Sequence, residues 1–336
     1  MKIGVIGCGK IAERHVKAYS KLTSQIIVTD AAEGAAQRLA DRWGVEFSSS
    51  PEKIFNDSTI SAVDICIPTS HHKEVILKAL EYGKHVFCEK PLCLTVSEAH
   101  EIKDAAKSAN CLVMVGYLQR FHPAFKFVKN TLMQQAIGEP YLANFRVGGR
   151  GDHSIWKHRR ETGGGVILEM LVHKLDLLVW FFGPPRNVKV LSYNILRPLR
   201  TIQGEKLMAN AEDYIVLEIE TDKVKILCQG DFVTPGYMDY LEIQGENGSI
   251  FSSLLHYFPT IIHCKEPQEG FKENNNFFQF PEVDLFEQEL SHFLESLQNG
   301  SRKHVNSLND SIAVMEIIDE IWKQVGANDR KITSPK

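Results

Sequence analysis

A run of small residues between a strand and a helix constrains this 336-residue chain more than anything else in it. Lys2 to Ile6 reads as a short buried strand and Lys10 to Tyr19 as a helix. Between them Gly7, Gly9 and Ala12 stand in the order Gly-x-Gly-x-x-Ala. A strand that breaks at glycines and at once re-enters a helix opens a dinucleotide-binding βαβ unit. Gly7 permits the tight turn, Gly9 lets the backbone approach a pyrophosphate, and Ala12 lets the helix lie against the sheet. The unpaired N–H groups of the first helical turn, at Lys10 and Ile11, attract an anion. A second strand, Gln25 to Thr29, runs into Asp30, about 20 residues after the glycines, where a carboxylate accepts hydrogen bonds from the adenosine ribose. Ala31 and Ala32 follow, so no adjacent arginine awaits a 2′-phosphate. The expected cofactor is NAD, with NADP less favoured.

Alternation continues through the first third. The pattern predicts a helix over Glu33–Trp43 stopped by Gly44, and a strand over Ser61–Ile67 ended by Pro68-Thr69-Ser70. A helix over Lys73–Tyr82, a strand over His85–Phe87, a helix over Thr95–Ala109 and a strand over Leu112–Val115 follow. Thr95 and Glu98 have capping-box spacing. This is an α/β, doubly wound parallel sheet. From about Arg120 extended runs dominate: Tyr141–Val147, Val188–Tyr193, Tyr214–Glu220, Val224–Gln229, Tyr240–Gln244 and Ser249–Ser253. Several alternate in polarity, as half-exposed antiparallel strands do. One long helix, Val166–Phe182, sits among them, and two more, near 283–298 and 309–325, close the chain. Asn274-Asn275-Asn276 reads as an exposed loop. The expected domains are 1–119 and 120–336, with the last helix packing back on the first domain.

Charge and cysteines narrow the class. With 38 basic and 42 acidic residues the net charge is −4, which suggests neither nucleic acid nor an anionic membrane as partner. The longest apolar stretch, Val166–Phe182, is interrupted by Glu169, His173, Lys174 and Asp176, unlike a membrane span. Seven cysteines, an odd number with no Cys-x-x-Cys pair, fit reduced thiols in a cytoplasmic protein better than disulfides or zinc. The first strand begins so early that a signal peptide is not expected. His71-His72 lacks a carboxylate or cysteine at ligand spacing, so no metal is expected.

Two places carry chemistry. Glu89-Lys90-Pro91 follows the strand at His85–Phe87, on the edge of an open α/β sheet where ligands bind. Lys90 there suits a donor to a substrate oxygen that gains negative charge; alone, it reads as well as a surface loop lysine. After Gly163-Gly164-Gly165, the helix Val166–Phe182 places Glu169, His173 and Asp176 at i, i+4 and i+7, on one stripe, with Lys174 off it. His173 suits a general base near neutral pH, and a carboxylate one turn away would orient it; the other reading is a satisfied core histidine. Thr69 and His72 follow a strand end and are expected to reach the cofactor. Arg146, Arg150, Lys157, Arg159 and Arg160 form a basic cluster with Trp156, either a grip for an anionic substrate or a solvated loop.

Taken together these residues resemble the Gfo/Idh/MocA oxidoreductases. The resemblance rests on Gly7-x-Gly9-x-x-Ala12, on Pro68 followed by His72, and on Gly83-Lys84-His85-Val86 leading to Glu89-Lys90-Pro91. It runs on through Gly116 to Pro123 and through Gly163-Gly164-Gly165 with the helix to His173 and Asp176. It implies a Rossmann domain followed by an α+β domain with a large open, mainly antiparallel sheet that often mediates oligomerisation, here as a homodimer or homotetramer. Substrate would lie between the domains. It implies a cofactor site from Gly7, Gly9, Lys10, Ile11, Ala12, Asp30, Pro68, Thr69, His72, Glu89 and Lys90. Lys90 and His173 match the family's lysine and acid–base histidine. Glu169 stands where the family usually has aspartate, and the extra methylene shifts that carboxylate by about 1 Å. Lys90, Arg120, Trp156, Arg160, His173 and Asp176 are the implied substrate contacts. The expected activity is interconversion of a hydroxyl and a ketone on a sugar, cyclitol or nucleotide sugar. An NAD-dependent glycoside hydrolase using transient C3 oxidation, or a non-catalytic sugar or nucleotide sensor, is the alternative on the same scaffold.

Overall fold

The protein is described by a computed structural model over residues 1–23, 25–32, 34–151, 154–160, 163–300 and 305–326. The chain forms two compact units. The first comprises Met1–Leu118 with Val283–Met315, and the second comprises Gln119–Glu282 with the chain from Glu316 onward.

In the first unit β1 (Lys2–Ile6) leads into α1 (Lys10–Leu22). There follow β2 (Ile26–Thr29), α2 (Ala35–Trp43), β3 (Glu46–Phe47), α3 (Pro51–Asn56), β4 (Ile60–Ile65), α4 (His72–Glu81), β5 (His85–Glu89), α5 (Val96–Ala109) and β6 (Val113–Gly116). The strands are all parallel, in the order β3-β2-β1-β4-β5-β6. The order reverses between β1 and β4, which makes the crevice beyond their carboxyl ends the expected ligand position. The central strands are apolar because helices cover both faces: Ile3, Val5, Val63, Ile65, Val86 and Phe87 are all buried. Thr95 and Glu98 close the expected capping box at the start of α5. The expected first residue of α2, Glu33, lies outside the described residues. Neither β3 nor α3 was expected.

The second unit contains α6 (Pro123–Met133), β7 (Pro140–Gly148), α7 (Val172–Phe182), β8 (Asn187–Asn194), β9 (Leu199–Ile202), β10 (Glu205–Met208), β11 (Tyr214–Glu220), β12 (Lys225–Asp231), β13 (Met238–Gly245), β14 (Gly248–Ser252), β15 (Thr260–Cys264) and β16 (Asn274–Phe278). Eight strands form an open sheet in the order β16-β15-β14-β13-β7-β12-β11-β8. It is antiparallel except where β7 runs parallel to β12. Inward residues such as Ile215, Leu217, Ile219, Leu241 and Ile243 alternate with half-exposed ones, the expected pattern of a one-sided sheet. Hairpin β9–β10 stands apart on a small apolar cluster of Ile202, Leu207 and Ala209. The segment Asn274–Asn276 is not a loop but begins β16, and Asn276 is buried with Nδ2 donating to the Ile262 carbonyl at 3.2 Å.

The expected single helix over Val166–Phe182 is also corrected. Ile167–Leu171 forms a π turn, and the α-helix begins only at Val172. The wider turn rotates Glu169 relative to His173 and Asp176, so the three do not share an ideal α-helical stripe. Helix α7 is buried nearly all round, and this traps Lys174. Its side chain is 0 % exposed, and Nζ lies 2.8 Å from Asp239 Oδ1 on β13 and 5.0 Å from the centre of the Phe125 ring.

Two helices close the chain, α8 (Leu285–Gln298) and α9 (Leu308–Gln324). All of α8 belongs to the first unit, while α9 is shared, its residues up to Met315 with the first unit and from Glu316 with the second. Helix α8 covers α1, where Lys21 Nζ meets Glu287 at 2.5 Å and Arg14 lies over the Phe286 ring. Asn306 Nδ2 donates to the Val115 carbonyl of β6 at 2.8 Å. These bonds explain why a division at 119/120 does not describe the C-terminal segments. All seven cysteines are thiols. Among the described residues no helix is long and apolar enough to cross a membrane.

Removing one partner of the Lys174–Asp239 pair leaves a buried charge uncompensated. Lys174→Met is expected to cost about 3–5 kcal/mol, with part recovered on adding Asp239→Leu. Denaturant midpoints of the two variants check this; a Lys174→Met midpoint equal to wild type contradicts it.

Candidate functional site

In the first unit the polar groups of interest gather beyond the carboxyl ends of β1, β2, β4 and β5. The two glycines of the first turn are needed for different reasons. Gly7 has φ +100°, and a Cβ there would sit 2.5 Å from the carbonyl oxygen of Cys66, so the chain itself demands glycine. Gly9 has φ −78°, which any residue adopts, and nothing lies within 4 Å of the position its Cβ would take. Only something other than the protein would collide there. No side chain caps the amides that open α1, and Lys10 and Ile11 are exposed beside them, while Ala12 is buried against the sheet. An uncapped N-terminus with open space in front suits an anionic diphosphate.

Asp30 ends β2 and turns back over this loop. Its Oδ2 accepts from the Cys8 N–H at 2.6 Å and its Oδ1 from the Ala32 N–H at 2.7 Å. Each carboxylate oxygen has a second lone pair, so Asp30 is oriented yet keeps acceptors for two hydroxyls. Past β4, Pro68 is exposed and Thr69 half-buried.

His72 and Glu89 differ from the expectation that they touch cofactor. His72 is 1 % exposed, with Nδ1 2.9 Å from the Pro91 carbonyl and Nε2 2.8 Å from the Ile67 carbonyl. Burial pushes its pKa down, against the two carbonyls, which favour the charged ring. It ties the loop after β5 to the end of β4 rather than facing a ligand. Glu89 also points inward. Its Oε2 accepts from the Lys90 N–H at 3.1 Å and its Oε1 lies 3.1 Å from His15 Nε2. Lys90 itself is half-buried, the first residue beyond β5.

His15 was absent from the expected site. It is fully buried on α1, with Nδ1 2.8 Å from Asp64 Oδ2 and 3.3 Å from Cys66 Sγ. Burial opposes its charge, but Asp64 and Cys66 outweigh this and hold its pKa well above the usual imidazole value. Burial likewise opposes ionisation of Glu89, and the His15 bond overrides it and lowers that pKa. A signal existed in the sequence: His15 follows Ala12 by three residues and precedes Tyr19 by four, which puts it on the buried face of α1. His15, Asp64 and Cys66 bring ligand-type atoms within 4.8 Å of one another. The 2.8 Å contact is a hydrogen bond, shorter than the edge of roughly 3.3 Å between two ligands held at about 2.0–2.1 Å from a zinc ion.

In the second unit, His173 is the second residue of α7 and half-buried. Glu169, in the π turn, meets Lys157 Nζ at 2.6 Å. Lys157 arrives there because the Gly165 N–H donates to its carbonyl at 2.9 Å. Gly165 has φ +116°, and a Cβ would sit 2.0 Å from Glu212 Oε1, so the last glycine of the run is required by close approach. Trp156 is 41 % exposed, with Lys157 Nζ 5.5 Å from its ring centre. Arg160 Nη2 donates to Tyr193 Oη at 3.1 Å. Arg120 and Asp176, expected to contact substrate, are corrected. Both are 0 % exposed, and Arg120 donates from Nε at 2.9 Å to Oδ2 and from Nη2 at 2.7 Å to Oδ1 of Asp176. A fork-on-fork pair of this kind fixes geometry and leaves neither side chain facing a ligand.

Replacing Gly9 separates folding from binding. Gly9→Val is expected to leave the melting temperature unchanged while weakening dinucleotide affinity at least about tenfold, about 1.4 kcal/mol. Calorimetric titration checks this; unchanged affinity contradicts it.

Residues 1–117 match the oxidoreductase family model described as an NAD-binding Rossmann fold, and residues 129–332 match that family's C-terminal alpha/beta domain. The chain is 24 % identical over 320 residues to the myo-inositol 2-dehydrogenase of Thermotoga maritima, covering 94 % of this chain and 93 % of the relative. It is 28 % identical over 327 residues to the scyllo-inositol 2-dehydrogenase (NAD(+)) of Bacillus subtilis, covering 93 % and 90 %. A solved levoglucosan dehydrogenase, in complex with NADH and L-sorbose, superposes with a TM-score of 0.87 at 21 % identity over 97 % of each chain, a likeness of fold. With both of its domain models matched in order, the chain belongs to the Gfo/Idh/MocA oxidoreductase family.

Proposed function

We propose that the protein is an NAD-dependent dehydrogenase that interconverts a secondary hydroxyl and a ketone on a cyclitol or sugar ring. The relatives named as inositol 2-dehydrogenases support the substrate class. The observation that supports the reaction type is Lys90, whose backbone N–H is held by the Glu89 carboxylate just beyond the carboxyl end of β5, in the same parallel sheet whose β1 leads into the open Gly9 turn. The residues fit NAD: open space before Gly9, uncapped amides at the start of α1, and an oriented Asp30 with acceptors to spare. When bound, NAD supplies the hydride acceptor or donor.

The protein's own groups handle the proton and the charge. In the oxidative direction His173 removes the hydroxyl proton. Lys90 donates a hydrogen bond to the same oxygen as negative charge develops on it. Glu169, held by Lys157, sets the electrostatic surroundings of the imidazole one turn away, and Trp156 and Arg160 contribute substrate contacts. Asp30 with Ala31 and Ala32 favours NAD over NADP.

The open sheet supports self-association. Leu142, Leu227, Met238 and Phe277 are exposed large apolar residues on the outward face of its strands, and exposed apolar surface of this kind marks interaction sites. A homodimer or homotetramer through this face is the reading, and light scattering at the mass of a single chain contradicts it.

A turnover screen of cyclitols and sugars with NAD and with NADP identifies the substrate. On that substrate His173→Ala is expected to lower kcat by about 10²–10⁴-fold with little change in NAD affinity. Full turnover in the variant contradicts the role of His173.

A further inference from the structure

We infer that His15 is a permanently charged positioning residue that sets Lys90 through Glu89. The inference deepens the proposed dehydrogenase reading and rests on it for the role of Lys90. The geometry is a buried chain across the floor of the first unit. Asp64, in β4, meets Nδ1 of His15 at 2.8 Å; Nε2 meets Glu89 Oε1 at 3.1 Å; Glu89 Oε2 accepts from the Lys90 amide at 3.1 Å.

A neutral imidazole has one N–H and one lone pair. With a carboxylate oxygen on each nitrogen, the neutral ring would aim its lone pair at an anion. Only the imidazolium donates on both sides. The surroundings make that arrangement rigid. His15 is 0 % exposed, with the Phe87 ring edge-on at 5.6 Å and the Phe286 ring of α8 at 5.4 Å. The other ionisable groups close by are Cys66 beyond β4, Tyr19 on α1 and Glu289 on α8. None of these is a cation; the Lys90 charge also favours ionised Glu89, and His15 is the positive group that meets both carboxylates. Burial, with the Asp64 charge beside it, pushes the Cys66 thiol well up, which leaves it protonated and donating toward Asp64.

The consequence falls on Lys90. Glu89 is the last residue of β5, and its side chain folds back to grip the next amide. Without the His15 N–H, the largely buried Glu89 carboxylate would lose its partner on Oε1 and turn toward water, releasing that amide. A displacement of about 1 Å at a group that must meet a substrate oxygen costs about 10²-fold in rate. His15 does not touch substrate or cofactor; it acts through Glu89.

Two measurements test the inference. In protein labelled with ¹⁵N-histidine, long-range proton–nitrogen spectra at about pH 8, above the ordinary histidine pKa of about 6.5, are expected to show two ring N–H groups on His15, identified by its contacts to the Phe87 ring. A single ring N–H there overturns the inference, whatever the reaction proves to be. On the full-length enzyme, His15→Gln is expected to lower kcat about 10²-fold with NAD affinity and substrate KM within about threefold. The double variant with Glu89→Gln should lose no more than the worse single, as groups acting in series do. Wild-type kcat in His15→Gln, or multiplied losses in the double variant, overturns it. Lys90→Met separates the two levels: wild-type turnover in that variant removes the dehydrogenase reading of Lys90, while the ring-proton spectrum still reports on His15. If His15→Gln does not fold, the spectrum of the wild-type enzyme decides alone.

Discussion

The close approach of the β1–α1 turn to the end of β4 is the constraint on which the rest of the first unit depends. The Cys66 carbonyl stands so near Gly7 that no side chain fits between them. The Cys66 N–H in turn donates to the Ile6 carbonyl at 2.8 Å, and the Gly7 N–H to the Thr29 carbonyl at 2.8 Å. The turn is therefore pinned on both flanks, by β2 and by β4, at the point where the strand order reverses. That pinning leaves the amides of α1 facing open space. It also brings α1 down onto the sheet with His15 between β4 and β5. The anion-binding end of the helix and the buried histidine one turn later are two outcomes of one packing decision.

Buried charge recurs through both units, and each case has a partner. In the first unit His15 stands between Asp64 and Glu89; in the second, Arg120 grips Asp176 and Lys174 meets Asp239. Such pairs rarely add net stability, because taking two ions out of water costs about what their attraction returns. Their value is orientation. Asp176 and Lys174 fix the face of α7 that follows His173, and Glu89 fixes the amide of Lys90. Lys90 and His173, assigned to the chemistry, are half-buried, and the paired charges behind them are buried or nearly so.

Much of this was legible in the residues. The Gly-x-Gly-x-x-Ala run, the apolar central strands and the capping box at Thr95 each declare their local structure, because each depends on neighbours a few residues away. The second domain's sheet showed itself in extended runs, several of which alternate in polarity, as Leu217 to Glu220 does. What escaped depends on distant partners or weak patterning. Strand β3 is two exposed residues, and β16 begins with three asparagines, so neither has an apolar period. The π turn at Ile167–Leu171 leaves no mark in composition, and an α-helical period placed Glu169 on the stripe of His173. Arg120 and Asp176 lie 56 positions apart, and only the fold shows that they bond to each other. His72 is the same case in miniature: its position after β4 was readable, but the two carbonyls that occupy its ring were not.

The most direct test of the account follows a hydrogen atom. With the carbon-bound hydrogen of the oxidised position replaced by deuterium, turnover of the cyclitol or sugar found in the screen is followed by mass spectrometry of the recovered nicotinamide. The account predicts deuterium in the reduced cofactor, one per ketone formed. Substrate consumed with no net reduction of NAD, or reduced cofactor free of label, would contradict it.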